Sequence, residues 1–154
     1  MNIRILTIGK ISTSFVKEGI ALYAKRLAHY ARVDVIELPD VKQKEADLQK
    51  EKEGELFLKQ LRPEDYVVLL DERGEALSSR EFAQVLQKRM NSGAKVLYVL
   101  IGGAFGFSKE VYERSDAQWS LSKMTFNHEM ARLFLLEQLY RAHTILKGEK
   151  YHND

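Results

Sequence analysis

The sequence predicts an α/β fold in which a mainly parallel, five-stranded sheet carries helices on both faces. Short runs rich in Ile, Val and Leu recur along the 154 residues, and such continuity is typical of strands that are buried on both faces of a parallel sheet. Segments with helical periodicity fill the gaps between these runs. The sequence contains no evident linker, internal repeat or low-complexity tract, so we predict a single domain spanning residues 1–154.

Five segments are predicted to be strands. The first four are apolar runs, and the two prolines of the chain, Pro39 and Pro63, fall between predicted elements. The predicted strands are residues 3–8, 33–38, 66–71, 96–101 and a short one near 117–121.

Helical periodicity indicates four helices before the last one. Apolar residues at helical spacing mark one face of the first helix, for which Ser14 is the predicted N-cap. Residues 42–61 are rich in Glu and Lys with few apolar anchors, so we predict a solvated, loosely attached surface helix. Ser78 or Ser79 is predicted to start the third helix, and Ser108 to cap a short fourth.

The last predicted helix, residues 129–147, has almost no wholly polar face. A helix that is apolar nearly all round is buried on more than one side, and in so small a protein a second subunit is a natural partner. Glu137 and Arg141 are four residues apart in the order that favours a helical ion pair. A structural and a functional interpretation of this pair are equally supported, because burying it is costly.

Composition excludes several kinds of chemistry. The chain has no cysteine, which excludes thiolate catalysis, disulfides and cysteine-based zinc sites. His128 and Arg132 frame a segment similar to H-E-x-x-H that lacks its second histidine, so we predict no metal site. No apolar run is long enough to span a membrane. The net charge is only +2, and charge alone favours a protein that does not bind nucleic acid.

Two loops near the C-terminus suggest a small-molecule site. The apolar run 96–101 leads into the glycine-rich segment 102–106, and the polar segment 119–128 precedes the last helix. Glycines at the carboxyl end of a strand let the main chain approach a ligand closely. The spacing matches neither the dinucleotide fingerprint nor the P-loop, and taken alone the glycine segment is more typical of a tight turn.

Several short motifs, in order and over essentially the whole length, together resemble the RlmH family. These are bacterial 23S rRNA pseudouridine N3-methyltransferases of the SPOUT class. The motifs are Ile8-Gly9-Lys10, Tyr23-Ala24-Lys25-Arg26-Leu27, Lys52-Glu53-Gly54, Leu70-Asp71, Val99-Leu100-Ile101-Gly102-Gly103, Trp119-Ser120-Leu121-Ser122-Lys123-Met124-Thr125-Phe126, Glu137-Gln138-Leu139-Tyr140-Arg141-Ala142 and Tyr151-His152.

The resemblance implies an architecture and a reaction that the other sequence patterns do not. The C-terminal third is expected to form a trefoil knot, an exception to the general rule against knots, which holds S-adenosyl-L-methionine as the methyl donor, with no metal. The expected assembly is a homodimer with the site near the subunit interface. The expected substrate is a pseudouridine in a 23S rRNA stem-loop of the assembled 70S ribosome, in the cytoplasm, with no membrane or DNA partner. Recognition of a ribosomal surface by shape is compatible with the low net charge.

The resemblance also implies site residues by position. Around the target base it implies the catalytic residues Glu137, Arg141, Tyr151 and His152, with His152 as proton acceptor and the tail reaching the partner subunit's pocket. A valine at Gly103 is expected to occupy the donor's space while the fold largely survives. The implied cofactor-binding residues are Leu70, Gly102, Gly103, Ser122, Lys123, Met124, Thr125, Phe126 and Asn127.

The chain departs from the family pattern at two places, and two alternative functions stay open. Relatives often have proline where this chain has Asn127, so we expect a less rigid loop here. Relatives often have a basic residue after Tyr151-His152, where this chain has Asn153-Asp154, so a basic tail contact to RNA is not implied. The alternatives are a non-catalytic ribosome-binding assembly factor and a small α/β nucleotide-binding module. Binding of S-adenosyl-L-methionine would separate both from the methyltransferase.

Overall fold

The computed structural model describes residues 1–153, and within them five strands alternate with five helices. The strands are β1 (Asn2–Ile8), β2 (Val33–Leu38), β3 (Tyr66–Ala76), β4 (Val96–Ile101) and β5 (Ala117–Ser120). The helices are α1 (Ser14–Leu27), α2 (Ala46–Leu58), α3 (Ser79–Asn91), α4 (Lys109–Arg114) and α5 (His128–Lys147). Every pairing between neighbouring strands is parallel, in the order β2-β1-β4-β3-β5. The predicted α/β fold with a parallel sheet is confirmed, and the knot stays a prediction.

The sheet separates two apolar cores, as expected when both faces of a parallel sheet are covered. On one face, alternate strand residues pack against α1, α3 and α5, with Leu27, Leu86 and Leu136 fully buried among them. On the other face, α2 and α4 cover the sheet through Phe57 and Val111. The prediction of helices on both faces is therefore confirmed. No helix among residues 1–153 is long and apolar enough to cross a lipid bilayer.

Strand β3 extends beyond its predicted end at residue 71. Leu70 pairs with Trp119 of β5, and Glu75 pairs with the same residue after an irregularity in the register. The four residues between them therefore leave the ladder at the carboxyl edge of the sheet. Gly74 returns the chain to β5 so closely that a Cβ there would lie 2.7–2.8 Å from backbone atoms of Gln118 and Trp119.

The prediction for the second helix is wrong in one respect. Helix α2 has the charged surface that the sequence indicates, but it is not loosely attached, because Glu53, Gly54 and Phe57 are all buried. The absence of a side chain at Gly54 brings α2 against the start of α4, since a Cβ there would lie 2.5 Å from Ser108 Oγ. Two of the three buried residues of α2 are a glutamate and a glycine, so the buried face shows no apolar periodicity. The sequence pattern therefore indicates a loosely attached helix.

Helix starts follow the expected capping chemistry with one correction. Thr13, not Ser14, is the N-cap residue of α1. Ser78 caps α3 in a reciprocal capping box with Glu81, and Ser108 caps α4.

Most of the apolar surface of α5 is covered within the chain itself. Leu135, Leu136 and Leu139 are fully buried between the sheet, α1 and α3. A second subunit is therefore not needed to bury most of this helix. The apolar surface that stays exposed is smaller and includes Phe134.

We predict that Gly74→Ala lowers the free energy of unfolding by about 1–3 kcal/mol, because the new methyl group meets backbone atoms that have little room to move. Gly19→Ala is the matched control, since its Cβ would meet only the mobile end of Leu133. That variant is expected to change stability by less than about 1 kcal/mol. Urea unfolding of both variants measures the difference, and equal effects would contradict the tight contact at Gly74.

Candidate functional site

A cavity of about 540 Å³ opens at the carboxyl edge of the sheet, and we call it the donor cavity because the sequence resemblance predicts the methyl-donor site among the residues that line it. Its size is that of a small-molecule site. Three loops that follow the adjacent strands β4, β3 and β5 form its walls, as expected at the carboxyl ends of parallel strands. The lining residues are 70–73, 101–107, 121, 122, 124–128, Tyr112 and Ala131.

The donor cavity brings together eight of the nine predicted cofactor-binding residues. Lys123 is exposed and is not among the lining residues. The eight are Leu70, Gly102, Gly103, Ser122, Met124, Thr125, Phe126 and Asn127.

A polar wall that the sequence prediction missed lies on the β3 side of the donor cavity. The Tyr112 hydroxyl donates to Asp71 Oδ2, and Arg73 donates to the Tyr112 hydroxyl at 2.6 Å. Burial would raise the pKa of Asp71, but the hydrogen bonds from Tyr112 and Arg73 outweigh it and the pKa is lowered. Thr125 also donates to Glu72 at 2.6 Å and so joins two of the loops.

The reason for expecting a valine at Gly103 to fill the donor's space is wrong. A Cβ on Gly103 would lie 2.5 Å from Glu53 Oε1, a buried carboxyl oxygen of α2. A valine would therefore displace Glu53 before it reached the cavity. The glycine is required by the approach of α2, which is distant in sequence and which loop composition does not reveal.

Asn127 closes the third loop by capping α5. Its Oδ1 accepts hydrogen bonds from the backbone N–H groups of Glu129 at 2.9 Å and Met130 at 3.1 Å. Asparagine is among the best N-cap residues, so Asn127 has a structural role at the start of α5. His128 begins the helix, is exposed and lines the cavity.

The four predicted catalytic residues lie together on and beside α5. Arg141 donates to Glu137 Oε1 from Nη2 at 2.5 Å and from Nε at 3.1 Å. The Tyr151 hydroxyl donates to the same oxygen at 3.0 Å. Arg141 Nη1 lies 3.2 Å from His152 Nδ1. We call these residues, with Tyr23 at 3.4 Å from the Tyr151 hydroxyl, the tail cluster.

The tail cluster shows that Tyr151 and His152 are packed against the chain. The Tyr151 ring lies edge-on to Tyr140, with centroids 4.7 Å apart, and the Arg141 guanidinium lies 4.8 Å from its centroid. Burial, with hydrogen bonds to Tyr23 and Glu137, raises the pKa of Tyr151. Composition favours a frayed end at this position, and that interpretation is wrong for these two residues. Asp154, the last position of the departure from the family pattern, lies outside the described residues.

The tail cluster and the donor cavity are separate but connected within one chain. None of the four predicted catalytic residues lines the donor cavity. A second cavity of about 260 Å³ shares Leu70 and Leu121 with it and extends to Gln138. Gln138 accepts from Ser79 Oγ at 2.7 Å and donates to Glu137 Oε2 at 2.8 Å. The second cavity therefore reaches Gln138, which is adjacent in sequence to Glu137 of the tail cluster.

The described part of the chain contains no group of three His, Asp or Glu side chains placed to hold a metal ion. The residues that sequence reasoning gave no site role are Glu53, Asp71, Glu72, Arg73 and Tyr112. Asp71 had a detectable signal, since it directly follows a buried strand end. Tyr112 and Glu53 come from α4 and α2, and no local pattern links them to the site.

Comparison with known proteins places the chain in one family. The family model described as "Predicted SPOUT methyltransferase" matches residues 1–152. Proteins named "Ribosomal RNA large subunit methyltransferase H" from Cytophaga hutchinsonii and Christiangramia forsetii are each 49% identical to this chain. The alignments cover 99% of this chain, with 100% of the first relative and 99% of the second.

Solved structures support the fold. A probable methylase family protein from Haemophilus influenzae Rd KW20 has a TM-score of 0.54 and 17% identity, covering 99% of this chain and 71% of its own. A putative methylase family protein from Neisseria gonorrhoeae has a TM-score of 0.51 and 14% identity, covering 90% and 81%. At such low identities the likeness concerns the fold alone.

We predict that Glu137→Leu and Tyr151→Phe are energetically coupled, because each removes one partner of the hydrogen bond that joins the two side chains. A double-mutant cycle on the free energy of unfolding is expected to give a coupling energy of about 1 kcal/mol. Tyr30→Phe replaces Tyr151→Phe in the control cycle, since the Tyr30 hydroxyl donates to Glu149 and not to Glu137. A coupling near zero in the first cycle would mean that the tail is not packed in solution.

Proposed function

Because the chain belongs to the SPOUT methyltransferase family, as its sequence resemblance predicts, we propose that it methylates N3 of a pseudouridine in a 23S rRNA stem-loop of the assembled 70S ribosome. The methyl donor is S-adenosyl-L-methionine, and the reaction takes place in the cytoplasm. The observation that carries the proposal is the 49% identity, over 99% of the chain, to a protein named ribosomal RNA large subunit methyltransferase H.

The residues of the donor cavity fit this cofactor. Gly102 and Gly103 expose main chain at the end of β4, and both line the cavity. Ser122, Met124 and Phe126 form an opposite wall of polar and apolar groups. Asp71 carries a lowered pKa, so it is an ionised carboxylate at neutral pH that complements a cationic ligand. These residues would hold the donor.

The proposed methyl transfer requires few chemical groups from the protein. S-adenosyl-L-methionine supplies a methyl group that is already activated by its sulfonium, so neither a metal nor a covalent nucleophile is required. The chain's own residues must align the base, favour loss of the weakly acidic imide proton at N3 to a water molecule, and then keep water out of the methyl transfer itself.

The geometry of the tail cluster changes the role proposed for His152. A guanidinium can only donate, so His152 Nδ1 accepts from Arg141 Nη1 and the neutral ring carries its proton on Nε2. In this arrangement His152 is a hydrogen-bond donor and not a proton acceptor. We propose that its Nε2–H and the charge of Arg141 stabilise the negative charge that develops on the imide. The pKa of Arg141 is raised by its hydrogen bond to Glu137, so it stays charged.

A homodimer is the proposed assembly, with a second copy covering an exposed apolar surface on α1 and α5. Phe15 and Leu22, two turns apart on α1, are 61% and 47% exposed, and Phe134 on α5 is 40% exposed. Phe134 packs against Phe126, with ring centroids 5.1 Å apart, and Phe126 lines the donor cavity. A subunit that covers Phe134 would therefore lie beside the donor cavity.

We predict that deleting residues 151–154 abolishes methylation while leaving donor binding nearly intact, because the tail cluster loses Tyr151 and His152 but the donor cavity keeps its walls. The assay mixes labelled S-adenosyl-L-methionine with 70S ribosomes from a strain lacking the activity and maps the modified nucleotide. Deleting residues 153–154 alone is the control and is expected to retain activity. Full activity of the longer deletion would leave Glu137 and Arg141 as the better catalytic assignment.

The same assay tests the proposed function as a whole. If the intact protein binds ribosomes but neither binds S-adenosyl-L-methionine nor modifies any nucleotide, the assembly-factor alternative replaces the methyltransferase.

We predict that Phe134→Asp converts the dimer to a monomer, since it places a charge in an apolar interface. Leu48→Asp is the matched control, because Leu48 is also exposed, at 37%, but lies on α2 on the opposite face of the sheet. Sedimentation at micromolar concentration measures both variants. A wild-type protein that sediments as an active monomer would contradict the proposed dimer.

A further inference from the structure

A carboxyl group is buried directly against the glycine loop of the donor cavity. Glu53 is 2% exposed and is not among the lining residues of the cavity, whereas Gly103 is. A Cβ on Gly103 would lie 2.5 Å from Glu53 Oε1 and 2.7 Å from Oε2. The main chain of Gly103 therefore has the ligand space on one side and this carboxyl group in contact on the other.

A second glycine makes this contact possible. Gly54 follows Glu53 on α2 and lies so close to α4 that a Cβ would be 2.5 Å from Ser108 Oγ and 3.2 Å from Val111 Cγ2. The missing side chain lets α2 approach closely enough for Glu53 to reach Gly103. Gly54 and Gly103 are distant in sequence, and together they determine where the carboxyl group of Glu53 lies.

The surroundings of Glu53 leave it incompletely satisfied. Its Oε1 accepts from Gln49 Nε2 at 3.2 Å, and its Oε2 has no hydrogen-bond partner. Burial, followed by the charge of Asp40, raises the pKa of Glu53, while Gln49 and the backbone amide of Gly103 lower it, and the net effect is an increase. Gln49 on α2, Asp40 after β2 and the Gly103 amide are the polar groups that face the carboxyl group.

We propose that Glu53 is a positioning residue for the methyl donor, holding the main chain of Gly103 in the orientation that the donor cavity requires. This inference rests on the proposed function. An apolar side chain would fill the same space at lower cost, since a buried carboxylate without a full set of partners is unfavourable. What the carboxylate adds is a negative charge directly behind the loop, at 2.5 Å from the position of a Cβ on Gly103, and this charge favours a cationic ligand.

The proposal gives the affinity for the donor a defined dependence on pH. Only the ionised carboxylate supplies this negative charge, so affinity is highest above the pKa of Glu53 and falls as pH decreases through that raised value. Each pH unit below it weakens binding by up to about tenfold. Asp71 in the cavity wall has a lowered pKa, so it titrates at a lower pH than Glu53.

The test measures the dissociation constant of S-adenosyl-L-methionine by calorimetry across this pH range. The wild-type protein is expected to show the decline, and a folded Glu53→Gln variant is expected to bind more weakly at neutral pH and to lose the decline. Gln49→Leu removes a hydrogen bond that lowers the pKa, so its midpoint moves to higher pH. Asp40→Asn removes a charge that raises the pKa, so its midpoint moves to lower pH.

The outcomes separate the two proposals. A wild-type protein that does not bind the donor at any pH overturns the proposed function. A wild-type protein that binds with no decline, or a Glu53→Gln variant with the wild-type profile, overturns the role of Glu53 alone. If Glu53→Gln does not fold, the opposite shifts of Gln49→Leu and Asp40→Asn decide, because a purely structural carboxyl group would change stability with pH but not donor affinity.

Discussion

A buried guanidinium holds the last helix against the first strand of the fold. Arg132 of α5 is 1% exposed and donates to the backbone carbonyls of Ile8 at 2.6 Å and Gly9 at 3.0 Å. Burial lowers its pKa, and the charges of Glu37 and Glu129 oppose that effect. Because removing either side of such a contact leaves an unpaired buried group, the position of α5 relative to β1 is closely fixed.

That attachment determines where both parts of the candidate site lie. The first turn of α5, with His128 and Ala131, reaches the donor cavity, and the middle of the same helix carries Glu137 and Arg141. A helix advances 1.5 Å per residue, so the ten residues from Ala131 to Arg141 span about 15 Å along its axis. One rigid element therefore sets the distance between donor cavity and tail cluster.

Sequence reasoning predicted the elements of the fold because their signals are local. Apolar runs gave the strands, and Ser78 and Ser108 marked helix starts. The family resemblance, and not composition, grouped Tyr151 and His152 with Glu137 and Arg141, while its expectation that the tail reaches a partner subunit's pocket stays a prediction. What the sequence did not reveal depends on close approach between distant segments. Glu53 looks like one more solvated charge on α2, and only the fold brings it against Gly103.

The connection between the two cavities bears on what a second subunit contributes. Ser79, Gln138 and Glu137 form a chain of hydrogen bonds that joins α3 to the tail cluster, and the second cavity beside it shares Leu70 with the donor cavity. One chain thus contains both the proposed donor site and a second cavity that is lined by Gln138, the sequence neighbour of Glu137. The apolar surface around Phe134 is exposed in the single chain. The main physical contribution of a partner subunit would then be to exclude water from the Phe126 side of the donor cavity, since electrostatic interactions with a charged ligand strengthen as water is removed.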